Sequence, residues 1–209
     1  MRGPHPTEKP ENSAGGEAAA GAGGVDGTEA CAPGCCPVSA ANAAESAQVP
    51  LADSRQGFSS TQGQCGWSYG YLPSGKEPLR LLSHFAASEA LWEASTEWPP
   101  WSAIYRDQQH PNQVPLHWIV RRWTSHVHGP IWIRGRVAKR DVSGGDGIAA
   151  QVRVDSQVVW EATVAFDDDV GVSFEVEATV AVGSAVDFIV SPKAGDAHDL
   201  TELFASITR

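Results

Sequence analysis

The sequence predicts an all-β chain built as an antiparallel β-sandwich, and three observations carry that prediction. Val172, Phe174, Val176, Ala178 and Val180 alternate with Ser173, Glu175, Glu177 and Thr179, the period-two pattern of a strand with one buried and one wet face. Stretches of this kind recur every 8–14 residues through the second half, with turn residues between them. Pro99, Pro100, Pro111 and Pro115 deny the middle of the chain a long helix.

Taken in order, residues 1–55 are rich in Ala, Gly, Ser, Glu and Pro and hold no aromatic residue. Such a segment cannot bury enough apolar surface to offset its ordering entropy, so a disordered tail is expected there. Three of the four cysteines, Cys31, Cys35 and Cys36, fall in this tail, and only Cys65 lies beyond it. Structural zinc wants four ligands at paired short spacings, so free thiols are the expected state of the three. Residues 56–209 hold all eight tryptophans and form the expected folded domain. A domain of that size buries roughly two-thirds of its unfolded surface and stands alone.

Within the domain, 67–72 and 116–123 read as strands, and 89–93 as a short helical turn between them. Ile131, Ile133 and Val137 alternate with Trp132, Arg134 and Arg136. The loop 141–147 turns the chain, and 148–154 returns with Ile148, Ala150, Val152 and Val154 inward. Asp155-Ser156-Gln157 makes the next turn before a strand at 158–165. After Asp167-Asp168-Asp169 comes 172–180, then a Gly183-Ser184 turn, then strands over 186–190 and 202–208.

Charge narrows the partners. A net charge of −10 argues against nucleic acid and anionic membranes, which reward a basic surface. No apolar run reaches the length of a transmembrane helix. The first residues hold no apolar stretch of the kind a secretory leader needs, so the compartment stays open. Basic residues concentrate in 121–153 and acidic ones from 154 onward, a pattern expected to resolve as cross-strand pairs.

Several motifs bear on chemistry. Gly66-Trp67-Ser68-Tyr69-Gly70 matches the G-x-S-x-G of a hydrolase nucleophile elbow, with Asp196 and His198 downstream. That elbow needs a helix after the serine, and Pro73 and Gly75 stop one, so a serine hydrolase is the remote alternative. His126 and His128 share one side of an extended chain, with His110 or His117 as a conceivable third metal ligand. Asp146, Asp167, Asp168, Asp169, Asp196 and Asp199 supply loop oxygens of the type that structural calcium uses. Surface histidines and solvated turn carboxylates are the simpler reading of both sets.

The aromatic residues are the best functional lead. Trp and Tyr suit sites with one apolar and one wet end, and eight tryptophans exceed what one small core packs. Trp98, Trp101 and Tyr105 lie on a proline-stiffened stretch and are the expected stacking surface for a sugar ring. Trp67 and Tyr69 are expected to make a second platform, with His110 and Arg122 bonding hydroxyls.

The stretches WSYGY (67–71), HP (110–111), VRRWTS (120–125), GGDG (144–147), VRVDSQVVW (152–160) and GSAVDFIVSP (183–192) occur in a fixed order. In that order the chain resembles a carbohydrate-binding-module-like β-sandwich domain of large extracytoplasmic bacterial proteins. The resemblance spans 56–209 and implies a jelly-roll, galactose-binding-like fold, a non-catalytic accessory role and export. The chain departs from the pattern at Asn112, Asp155-Ser156 and Gly183-Ser184, changes expected to loosen the hairpins. Two roles follow: a polysaccharide-binding or surface-attachment module, or a structural domain that packs on a neighbouring domain or chain.

Overall fold

A computed structural model describes residues 50–97 and 99–209. Among the described residues, fourteen strands make two antiparallel sheets. They are β1 (Pro50–Asp53), β2 (Trp67–Pro73), β3 (Arg80–Leu81), β4 (His84–Ala86), β5 (Leu91–Glu93), β6 (Ala103–Ile104) and β7 (Gln108–His110) in the first half. Then come β8 (His117–Thr124), β9 (Gly129–Lys139), β10 (Ile148–Val154), β11 (Gln157–Val164), β12 (Val172–Val180), β13 (Ala185–Pro192) and β14 (Thr201–Thr208). The larger sheet runs β12-β9-β14-β7-β6-β5-β4, with β1 added on β14; the smaller runs β11-β10-β13-β8-β2-β3. The chain changes sheets at β8–β9–β10 and again along β11–β12–β13–β14, which is jelly-roll wiring.

The alternating residues decide the core. Ile131, Ile133 and Val137 of β9 face Ile148, Ala150 and Val152 of β10, Phe174 of β12 and Phe188 of β13 in one cluster. On one edge, Trp160 of β11 meets Phe174 of β12 with ring centroids 4.8 Å apart, closing the seam between the sheets. A second small cluster, Leu72, Val120 and Ile189, lies on the outer side of the smaller sheet under Leu79 and Trp118.

The expected strands from 116 onward all form, and β10 and β12 occupy the expected spans. Three expectations are corrected. Residues 50–53, assigned to the tail, form β1 on β14, with Ser54 buried and bonded to Ala205. Residues 91–93 are strand β5, paired with β4 across a turn that carries Ala90 at φ 51°, and no helical turn forms there. The changed turns are closed tightly: Asp155 accepts from Ser184 Oγ (2.8 Å) and the Ala185 amide (2.9 Å), linking two turns at one end of the sandwich.

Cys65 is disulfide-bonded. The other three cysteines, which the sequence suggested were free thiols, lie outside the described residues.

Candidate functional site

The short strands β4 to β7 form one flank of the larger sheet, and their register sorts their side chains. Phe85, Trp92, Ile104 and Gln109 share a row that faces the core. His84, Glu93, Ala103 and His110 share the next row, which therefore faces away from it. Glu93 is only 5% exposed although it lies on this outer side. His84 Nε2 stands 3.4 Å from its Oε1. Tyr105, one residue beyond Ile104, is half-buried on the same side. Burial first, then the charges of Glu93 and Glu89, raise the Tyr105 pKa, which keeps its hydroxyl a hydrogen-bond donor.

A buried cation fixes the turn that follows Tyr105. Arg121 of β8 is inaccessible to solvent, and burial lowers its pKa to about 10. Its guanidinium donates to the carbonyls of Tyr105 (2.5 Å), Arg106 (3.0 Å) and Gln108 (2.8 Å) and to Gln109 Oε1 (3.0 Å). The remaining turn carbonyl, that of Asp107, accepts from the Leu203 amide at 3.0 Å. Each carbonyl of residues 105–108 is thus held from inside the sandwich.

Trp101 is held from the other direction. Its amide donates to Asn112 Oδ1 (2.7 Å), while Asn112 Nδ2 donates to the Pro115 carbonyl (2.6 Å). Asn112 is buried, so the loop that carries Trp101 is tied to the loop after His110. The residue that departs from the resembled pattern is the one that anchors the aromatic loop.

The structure thus brings Trp101, Tyr105 and His110 to the β5–β7 hairpins. His110 Nδ1 donates to the Pro111 carbonyl (2.6 Å), and burial lowers the His110 pKa, which favours the neutral ring. Trp98 lies outside the described residues. Trp67 and Tyr69 make no platform: they are 1% and 0% exposed, because β2 turns both rings onto Phe188, Phe58 and Trp92. Burial raises the Tyr69 pKa to about 12. Arg122 lies on the outer side of the other sheet, bound to Asp187 through two oxygens (2.6 and 2.8 Å) and to Glu77 (2.8 Å). It is a cross-strand structural cation, as are Arg134 on Glu175 and Arg136 on Glu202.

Glu93, His84 and Glu89 were missed by the sequence reading. A signal existed: His84-Phe85-Ala86 and Leu91-Trp92-Glu93 flank a four-residue connection, a hairpin spacing with period-two polarity.

Ser68 does not sit in the strand-to-helix elbow that the G-x-S-x-G pattern implies. Ser68 lies within β2, opposite Arg122 in an antiparallel pair, with no helix after it. His198 bonds Asp141 and Ser143 instead, both through Nδ1 at 2.9 Å. A relay needs its acid and its serine on opposite ring nitrogens, so this trio is a loop clasp. Beside it, Lys139 and Asp199 form a buried ion pair of 2.9 Å.

Among the described residues, no group of three or more His, Cys, Asp or Glu side chains is placed to hold a metal ion. His126 and His128 are exposed on the β8–β9 connection, apart from His117, whose Nδ1 meets Ser102 Oγ at 2.7 Å. The loop carboxylates considered for calcium pin backbone amides: Asp146 holds Ala194, Asp168 holds Gly171 and Asp196 holds Gln113. No helix among the described residues is long and apolar enough to cross a membrane.

No family model matches the sequence, and no curated protein matches it. Solved structures do. A family 51 carbohydrate-binding module of Clostridium perfringens, determined with methyl-galactose, is similar over 49% of this chain and 68% of its own, at 10% identity and a TM-score of 0.36. The C-terminal family 6 module of a marine laminarinase from Zobellia galactanivorans matches over 49% and 89%, at 15% identity and TM-score 0.29. A family 35 module from Clostridium thermocellum matches over 51% and 75%, at 9% identity and TM-score 0.29. All three are carbohydrate-binding modules. The sandwich assignment for this chain rests on its own two sheets.

Proposed function

We propose that this domain is a non-catalytic carbohydrate-binding module whose site is the outer side of the β5–β7 hairpins. The observation that carries the reading is the half-buried Tyr105 on the β6–β7 turn, two residues past Ala103, which pairs with Glu93 across the sheet. A sugar ring has apolar C–H faces and a hydroxyl rim. Tyr105 and Trp101 supply rigid rings that order at low entropic cost, and Glu93, His84 and the Tyr105 hydroxyl supply hydrogen bonds. The 105–108 turn and the Trp101 loop are both pinned before any ligand arrives, which favours binding without rearrangement.

The shallow groove on the opposite sheet, lined by Ala149, Gln151, Glu161 and Thr163, offers no aromatic ring and fits a sugar less well. The disulfide at Cys65 supports an oxidising, extracytoplasmic setting for such a module. A second reading, a domain that packs on a neighbour, is favoured by the exposed Val114 and Val170, at 78% and 71%.

The test is a glycan array and insoluble-polysaccharide pull-down with the full chain and with a Trp101→Ala, Tyr105→Ala double variant. The proposal expects retention on at least one glycan class by the parent and loss of at least tenfold in affinity for the variant, about 1.4 kcal/mol. Equal binding by both proteins moves the site elsewhere. No binding by either favours the packing domain.

A further inference from the structure

We infer that strand β12 is a docking edge, which takes up an extended partner segment whose residues alternate between basic and apolar. The inference is independent of the carbohydrate-binding reading: β12 is the last strand at one end of the larger sheet, and β4 to β7 lie toward the other. β12 pairs with β9 from Val172 to Val180 without a shift in register. Among the described residues its other edge carries no strand. Every second residue there turns its N–H and C=O away from β9, which leaves a regular row of donors and acceptors open. Proteins close such edges with proline, lysine or a bulge, and β12 has none of these. β11, the matching edge of the smaller sheet, is less regular, since its register against β10 shifts near Arg153.

The side chains make the edge selective. On the inward row Val172, Val176 and Ala178 stay half-buried. Val170 and Val182, just before and just after the strand, are 71% and 68% exposed. The outward row carries Glu175 and Glu177, both exposed. Glu175 meets Arg134 at 2.9 Å, and Glu177 lies opposite Trp132 rather than a cation. Residues 155–182, which make this flank of the sandwich, hold seven Asp or Glu and no Lys, Arg or His.

A strand added to β12 sets one row beside Glu175 and Glu177 and the other beside Val176 and Ala178. Opposite charges placed side by side stabilise a sheet and like charges destabilise it. β9 shows the match from the other side, with Arg134 beside Glu175 and Ile133 beside Val176. A second copy of this chain fits badly: antiparallel pairing about Val176 would set Glu175 against the partner's Glu177, twice over. The edge therefore repels its own kind and suits a basic, apolar strand, joined by main-chain hydrogen bonds.

The test titrates the full chain with blocked peptides and follows amide exchange by NMR. The probe alternates lysine and valine over the length of β12. Its counterparts carry glutamate for lysine, proline for valine, or the same residues in two blocks. The alternating lysine peptide is expected to bind about tenfold or more tighter than each counterpart, and to slow exchange at alternate amides of β12. Glu177→Lys, which breaks no ion pair, is expected to weaken that peptide. A Glu175→Lys, Glu177→Lys variant is expected to reverse the order, so that the glutamate peptide binds best.

Equal affinity for the lysine and glutamate peptides overturns the inference. So does equal affinity for the proline counterpart, which would mean attraction of charge without a paired strand. Protection that falls on β11 or elsewhere instead of β12 overturns it, as does the absence of binding by every peptide. β12 amides that are protected in the concentrated chain alone, and released on dilution, would make a second copy the occupant and overturn it too. Glycan binding at β5–β7 can stand or fail without altering any of these outcomes.

Discussion

Arg121 shows how much one residue can decide. It is a cation with no carboxylate on its guanidinium, enclosed in a sandwich and neutralised by backbone dipoles and one amide. Replacing it with methionine removes the cost of burying the charge but leaves the carbonyls of Tyr105 and Arg106 and Gln109 Oε1 without their donor, while the Gln108 carbonyl keeps the Tyr105 amide. The second effect is the larger, because a buried acceptor stripped of its partner loses about 1–3 kcal/mol. Arg121→Met is therefore expected to lower stability by about 2–4 kcal/mol in chemical denaturation. Tyr105 should feel it as well: its phenol titration, followed by tyrosine NMR, should move toward the ordinary value as the turn loosens. An unshifted Tyr105 would mean that the turn holds without the cation.

Turns and strand pairs carry the next level. Asp155 and Ser156 sit at φ 48° and 69°, the left-handed pair that a two-residue hairpin needs. Asparagine and glycine adopt that conformation most readily, so Asp-Ser is strained there. The offset comes from the neighbouring β12–β13 turn, where Ser184 Oγ and the Ala185 amide donate to the Asp155 carboxylate. The expected loosening is therefore absent, because the β12–β13 turn braces the Asp155-Ser156 turn. Asp155→Ala is expected to cost about 1–3 kcal/mol and to raise amide exchange at both turns together. Faster exchange at the 155–156 turn alone would refute the coupling. Asp155→Gly, which relieves the φ strain, should recover part of the loss.

For the molecule as a whole, one end of the sandwich stores pH sensitivity of both signs. Burial raises the Asp199 pKa to about 6 despite Lys139 beside it. The folded state then holds that proton more tightly than the unfolded chain, so this group adds stability in mild acid and loses it as pH rises through about 6. Asp141 runs the other way. Burial pulls its pKa up, but hydrogen bonds from Ser143 and His198 prevail and lower it to about 2. Its contribution is present above the ordinary carboxylate pKa of 3.8 and disappears as pH falls toward about 2. Thermal melts between pH 2 and 8 should show wild type losing ground to Asp199→Asn from pH 4 to 6. The same melts should show it losing ground to Asp141→Asn as pH falls from 4 to 2. A wild type whose advantage over Asp199→Asn grows between pH 4 and 6 would mean that the Lys139 pairing outweighs burial.

The strands after residue 116 were legible in the sequence because each buries one face: Val172 to Val180 and Ile148 to Val154 write their own period. The cross-strand destination of the basic residues was legible for the same reason, since opposite charges on one sheet face pair locally. The first half was less so. Its strands β3 to β7 run two or three residues, too short to show a period, and Leu91-Trp92-Glu93 reads as strand or helix alike until β4 and β6 pair with it. The site needed still more. A tryptophan has the same side chain in a core as on a surface, so composition separated neither Trp67 from Trp101 nor Tyr69 from Tyr105. That separation belongs to strand register and to long-range contacts: Trp67 is turned onto Phe188, 121 residues away, while Trp101 stays half-buried on a loop whose backbone amide Asn112 holds. The sequence by itself determined the class of fold, its acidic charge and its wealth of rigid rings. Only the tertiary structure decided which rings are buried and which stay half-buried, because burial is set by residues far apart along the chain.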